Sequence, residues 1–148
     1  MRGLGWEYVH VAIDDCTRLG YAEVLPDEHG ETTVGFLARA YIWYAAHGIR
    51  IRRLLTDNGG NYRSAVLAAA CRHHQIRHYF TRPYRPQTSG KAERFIRTLL
   101  HAWAYAQAYG RSVYRTRALL HYPHFYNAER RHAALGFTTP LQRLATKQ

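Results

Sequence analysis

The apolar residues of this chain change their period along its length, and that change sets the order of its elements. Val9, Val11 and Ile13 alternate with Tyr8, His10 and Ala12, which is the two-residue period of a half-buried strand. A strand is therefore expected over residues 6–13. Residues 14–18 read as a connection to an antiparallel partner strand over 19–25, ended by Pro26, which lacks a ladder donor. The period then turns helical. Phe36, Ala40 and Tyr44 share one face, with Leu37, Tyr41 and Ala45 beside them. Thr32 or Thr33 is the expected N-cap of this helix, which runs to about residue 47. Gly48 takes the position after the helix, where a positive φ costs glycine little.

Short strands are expected over 49–55 and 76–80, with a helix over 64–74 between them. A loop over 81–90 contains two prolines and a glycine. A long helix over 91–109 carries the apolar stripe Ala92, Phe95, Ile96, Leu99, Leu100, Ala102, Trp103 and Ala106. A last helix spans about 113–127. The order predicts an α/β domain with a mixed sheet flanked by helices. At 148 residues the chain is expected to be one domain, with 111–148 a C-terminal helical segment and tail packed on it.

Charge narrows the function classes. The chain has 21 Lys+Arg against 10 Asp+Glu, a net charge of +11, and nearly all its cations are Arg. A basic domain of this size is an electrostatic candidate for nucleic acid, and guanidinium groups match phosphate geometry better than ammonium groups do. No apolar run approaches the ~18 residues of a membrane span. The first residues show no apolar signal-peptide core. Cys16 and Cys71 are too few for a disulfide framework or a four-thiolate zinc site. A reducing, bacterial-type cytoplasm fits, with association to the nucleoid.

Two carboxylates stand out. Asp57 follows Leu54-Leu55 at the end of an expected strand, where α/β domains place ligand-binding groups. Asp-Asn-Gly is also an ordinary turn. Glu93 lies at the start of the long helix, on the edge of its apolar stripe, where the helix dipole also favours a glutamate. Thirty-five residues separate the two. Between them runs Thr81-Arg82-Pro83-Tyr84-Arg85-Pro86-Gln87-Thr88-Ser89-Gly90-Lys91-Ala92. Asp57-Asn58-Gly59, this segment and the Asp-to-Glu spacing resemble the retroviral-integrase-like core of bacterial insertion-sequence transposases, the DDE recombinases. Tyr8 to Leu25 resembles that family's second and third strands. Tyr126-Asn127, Arg131-His132, Ala134-Leu135-Gly136 and Thr139-Pro140 resemble its C-terminal segment.

The resemblance covers nearly the whole chain. It implies a ribonuclease-H-like fold, Mg²⁺ or Mn²⁺ as cofactor, and metal-dependent DNA cleavage and strand transfer. Asp57 and Glu93 take the metal-ligand and catalytic roles. Oxygen ligands suit Mg²⁺, and paired hard cations serve both ends of an in-line displacement. Arg82, Tyr84, Arg85, Gln87, Lys91, Arg94 and Arg97 form the expected DNA-contacting set. Transposon-end and target DNA are the expected partners, with a homodimer or higher oligomer.

One departure from the family pattern stands out. The family carries its first catalytic Asp on a strand preceding the one at 6–13, and Met1-Arg2-Gly3-Leu4-Gly5 offers neither that strand nor an acidic residue. The chain is therefore expected to be an N-terminally truncated core lacking the family's first strand, with little or no strand transfer for want of the first Asp. Asp14 is a candidate third catalytic carboxylate, against a structural role in ordering the Thr17-Arg18 turn. His73, His74 and His78 lack a well-spaced fourth ligand for zinc. His132 is a phosphate contact or a residue of a solvated turn. The alternatives to a catalytic core are a non-catalytic DNA-binding or dimerising remnant, or a nuclease acting on hybrid duplexes.

Overall fold

The computed structural model describes residues 2–4, 7–81, 94, 97, 126–128, 131–132 and 135–147. The elements are β1 (Arg2–Leu4), β2 (Glu7–Ile13), β3 (Gly20–Leu25), α1 (Gly30–Ala46), β4 (Arg53–Thr56), α2 (Ala65–His73), β5 (Arg77–Phe80) and α3 (Pro140–Lys147). The fold class is α/β, in accord with the ribonuclease-H-like integrase core. The strands form a three-stranded sheet in the order β1-β2-β3 and a parallel pair, β4-β5. The chain divides into two compact units: Met1–His10 with Val24–Gly90, and Val11–Glu23 with Lys91–Gln148.

The first unit is built on a β4-α2-β5 crossover. Parallel strands need such a connection, because a tight hairpin joins only antiparallel ones. Arg53 pairs with Arg77, Leu54 with His78, Leu55 with Tyr79 and Thr56 with Phe80. Leu37, Leu67, Cys71 and Ile76 form the buried cluster that ties α1 and α2 to this pair, and Leu54, Ile51 and Tyr62 pack against it. Burial raises the Cys71 thiol above its ordinary pKa, which leaves it an inert core group.

Helix ends follow local chemistry. Ser64 caps α2, its hydroxyl accepting from the Leu67 amide at 3.3 Å. Gly48 adopts φ +77° beyond α1. Its amide donates to Ala45 O and that of Ile49 to Tyr44 O, both at 2.9 Å, which is the Schellman closure.

The structure corrects four expectations. Helix α1 starts at Gly30 rather than after Thr32 or Thr33. Asp27 turns the chain instead, its carboxylate accepting from the His29 amide at 2.9 Å. Thr33 is buried within the first turn and donates to His29 O at 3.0 Å. Strand β4 begins at Arg53 rather than residue 49, because the Schellman closure redirects the chain first. Residues 2–4 form a strand, β1, antiparallel to β2, where no strand was expected. The tail carries α3, opened by a reciprocal cap: Thr139 N donates to Gln142 Oε1 at 2.9 Å and Gln142 N to Thr139 Oγ1 at 3.2 Å. Among the described residues no helix is long and apolar enough to cross a membrane.

Candidate functional site

Asp57 directly follows the last residue of β4, at the carboxyl end of a parallel strand. Its side chain is exposed. Oδ1 accepts the Gly59 amide at 2.8 Å, an Asx turn that fixes the carboxylate by one oxygen. Oδ2 makes no hydrogen bond among the described residues.

The loop after Asp57 is anchored at several points. Asn58 Nδ2 donates to Thr81 O at 2.7 Å, tying the loop to the end of β5. The Gly59 carbonyl accepts the Tyr62 and Arg63 amides at 3.0 and 3.1 Å. Asn61 Nδ2 donates to Thr33 Oγ1 at 3.0 Å, so the first turn of α1 is joined to the loop. Burial, reinforced by the negative charges of Asp57 and Glu28, pushes the Tyr62 hydroxyl far above its ordinary pKa. Tyr62 is therefore a neutral packing group beneath the loop.

Behind Asp57 stands Thr56. Its hydroxyl donates to Asp57 O at 2.9 Å and lies 2.8 Å from His78 Nε2 on β5. A hydroxyl has one proton to give. With that proton on Asp57 O, His78 must be the donor, which fixes the Nε2–H tautomer. Burial holds the His78 pKa below its ordinary value, so the ring is neutral at physiological pH. This backing set was not singled out from sequence. Asn58 and Gly59 carried a turn signal, whereas the Thr56–His78 pair depends on strand register.

Of the expected site residues, Glu93, Arg82, Tyr84, Arg85, Gln87 and Lys91 lie outside the described residues. Arg94 and Arg97 are helical and exposed, and a spacing of three puts them on one face. Asp14 belongs to the second unit. Its Oδ2 accepts both the amide and the hydroxyl of Thr17, at 2.9 and 2.6 Å, the turn-ordering arrangement. His132 forms an isolated bridge with Thr138, and its ring meets buried Tyr126 edge-on at 4.7 Å. The His74 ring lies tilted against Tyr41 at 4.5 Å, and His73 meets His74 edge-on at 5.0 Å. No group of three His, Cys, Asp or Glu among the described residues is placed to hold a metal ion.

Asn127 is a structural latch. It is buried, donates to Gly20 O and accepts from Gly20 N, both at 2.8 Å.

Comparison with known proteins settles the family. An integrase core domain model matches residues 1–86, and a second integrase core domain model matches residues 74–140. The chain belongs to the integrase core family.

Three similar proteins span viral and mobile-element sources. The "Putative integrase ORF3" of Spiroplasma virus SpV1-C74 is 30% identical over 146 residues, covering 90% of this chain and 40% of that protein. The "Intracisternal A-particle Pol-related polyprotein" of mouse intracisternal A-particle MIA14 is 36% identical over 93 residues, covering 63% of this chain and 10% of the polyprotein. The "Retrovirus-related Pol polyprotein from transposon TNT 1-94" of Nicotiana tabacum is 45% identical over 53 residues, covering 36% of this chain and 4% of the polyprotein. The chain thus spans less than half the length of each of these relatives.

Proposed function

We propose that this chain is the catalytic core of a bacterial insertion-sequence-type transposase, which cleaves DNA strands and joins them to a target with Mg²⁺ or Mn²⁺. The observation that carries the reading is Asp57: an exposed carboxylate at the end of a parallel strand, oriented through one oxygen and with the other open. The relatives' names, an integrase and two Pol polyproteins, support DNA integration as the wider process.

Asp57 and Glu93 are the proposed metal ligands. A hard carboxylate oxygen with no competing hydrogen bond fits Mg²⁺ or Mn²⁺. When bound, the metal supplies charge stabilisation to a phosphoryl group undergoing in-line displacement. The chain's own residues do the positioning. Gly59 aims the Asp57 carboxylate, while Asn58 and Thr56 hold its backbone between the ends of β4 and β5. Arg82, Tyr84, Arg85, Gln87, Lys91, Arg94 and Arg97 are the proposed DNA contacts, chiefly to phosphate. We assign Asp14 the turn role on its Thr17 bonds, with recruitment as a third catalytic carboxylate the alternative.

The whole of 1–148 acts as this core, with 111–148 its C-terminal segment. It works as a homodimer or higher oligomer on DNA in the bacterial cytoplasm.

The test is strand transfer of a labelled transposon-end oligonucleotide with Mn²⁺, together with calorimetric titration of Mn²⁺. Joining and metal binding should both be lost in Asp57→Asn and Glu93→Gln. Mn²⁺ binding unchanged in the double variant would overturn the metal assignment. Metal-independent DNA binding without joining would favour the non-catalytic reading. Joining abolished by Asp14→Asn, with the fold intact, would move Asp14 into the catalytic set.

A further inference from the structure

Over residues 24–90, most of the first compact unit, the carboxylates gather toward one end. Every carboxylate of residues 24–90 is Asp27, Glu28, Glu31 or Asp57. Three of these lie at the N-terminal end of α1, and Asn61 bonds that end to the Asp57 loop. The opposite end gathers arginines. Arg53 and Arg77 begin the two parallel strands as Cα partners, neighbours ~4.8 Å apart in such a ladder. The Arg77 amide donates to Arg52 O at 2.9 Å, which puts Arg52 beside them. Arg72 lies in the last turn of α2, and its carbonyl accepts the Gln75 amide at 3.1 Å. Gln75 Oε1 in turn accepts from Arg50 at 3.0 Å.

All five arginine side chains are exposed, and none forms an ion pair with a carboxylate among the described residues. From Arg53 to Asp57 the strand climbs about 13 Å at ~3.3 Å per residue. The cluster is thus separate from the Asp57 loop.

We propose that this end, formed by Arg50, Arg52, Arg53, Arg72 and Arg77, is a second DNA-binding surface that grips the phosphate backbone of duplex DNA. Arginine forks match phosphate oxygens two at a time. Arg72 alone has a simpler role, since a cation in a last turn complements the helix dipole. The strand arginines have no such explanation. Equal charges set side by side on paired strands repel each other, and a polyanion relieves that repulsion. The proposal uses none of the Arg82–Arg97 residues named above and does not depend on them or on a metal.

The test uses the full chain with a fluorescent 20-base-pair duplex in EDTA. Affinity is followed against salt for the wild type, the Arg52→Ala/Arg53→Ala/Arg77→Ala variant and the Arg94→Ala/Arg97→Ala variant. Each lost phosphate contact should remove about 0.9 from the slope of log K against log salt. The triple variant should therefore flatten the slope by between two and three and bind at least tenfold more weakly at physiological salt. The Arg94/Arg97 variant should act additively. Because EDTA removes divalent ions, this result stands whether or not the chain joins DNA.

In a second measurement on the unaltered protein, duplex DNA should protect Arg52, Arg53 and Arg77 from phenylglyoxal, read by mass spectrometry. A wild-type slope in the triple variant, or no protection, overturns the proposal. Stronger protection by duplex RNA or by polyglutamate than by DNA also overturns it, in favour of that ligand.

Discussion

A methyl group on Gly59 would sit 3.0 Å from Asp57 Oδ1, the oxygen that accepts the Gly59 amide at 2.8 Å. It would stand equally close to Asn61 Oδ1. The absence of a side chain at Gly59 is thus what lets the Asp57 carboxylate fold back onto the turn. In Gly59→Ala the carboxylate must shift by a few tenths of an ångström. Misplacement of about 1 Å costs on the order of 100-fold in rate, so a loss of roughly tenfold in Mn²⁺-dependent joining is expected, with weaker Mn²⁺ binding. Gly60 is the control, because a Cβ there meets nothing within 4 Å. Equal activity in Gly59→Ala and Gly60→Ala would show that the Asx turn does not aim Asp57.

Burial depresses the His78 pKa, and this gives stability a pH dependence of definite sign. The unfolded chain takes up this proton as pH falls through the ordinary histidine value of about 6.5, while the folded chain resists. The stabilising contribution is complete above that value and declines as pH drops below it, until the folded group also protonates. His78→Gln keeps a side-chain N–H for Thr56 and removes the titration. Urea midpoints at pH 7.5 and 5.5 should therefore fall further in the wild type than in His78→Gln. Identical falls would place the pH dependence on other histidines.

What the sequence made legible was what short-range chemistry decides. Gly48, free to take a positive φ, and Ser64, with a hydroxyl that accepts an amide, sit at helix ends, and Asp57 follows its strand as the Leu54-Leu55 pattern implied. Thr32 and Thr33 do not mark the α1 start, because Asp27 turns the chain ahead of them, its carboxylate reaching forward to the His29 amide. The start of α3 has a local signal, since Thr139-Pro140-Leu141-Gln142 is a capping box with proline at the first helical position. The Thr56–His78 bond and the Asn127 latch on Gly20 were not legible. Each joins residues far apart in the chain, 22 and 107 positions respectively, and nothing local signals them.

The cap of α3 offers a direct test of that lesson. Thr139→Ala removes the hydroxyl that accepts the Gln142 amide, and N-cap losses of this kind cost about 1 kcal/mol. The helix has only eight residues, too few to persist without help. Amide hydrogen exchange across the α3 residues should speed up in Thr139→Ala, with little change in α1. Unchanged protection would mean that packing of Leu144 alone holds the helix.

Asn127 is expected to contribute strongly to stability for a single polar side chain. It satisfies both backbone groups of buried Gly20, where β3 begins. Truncating it leaves a buried N–H and a buried C=O without partners, and each unsatisfied group costs about 1–3 kcal/mol. Asn127→Ala should therefore destabilise the chain by roughly 2–4 kcal/mol, read as a lower urea midpoint at constant slope. Asn127→Leu separates the causes, since it restores volume but supplies no hydrogen bond. If the bonds matter, Leu should be nearly as destabilising as Ala. If Leu recovers most of the midpoint, Asn127 acts mainly by filling space. A wild-type midpoint in both variants would mean that solvent reaches Gly20 and the latch contributes nothing.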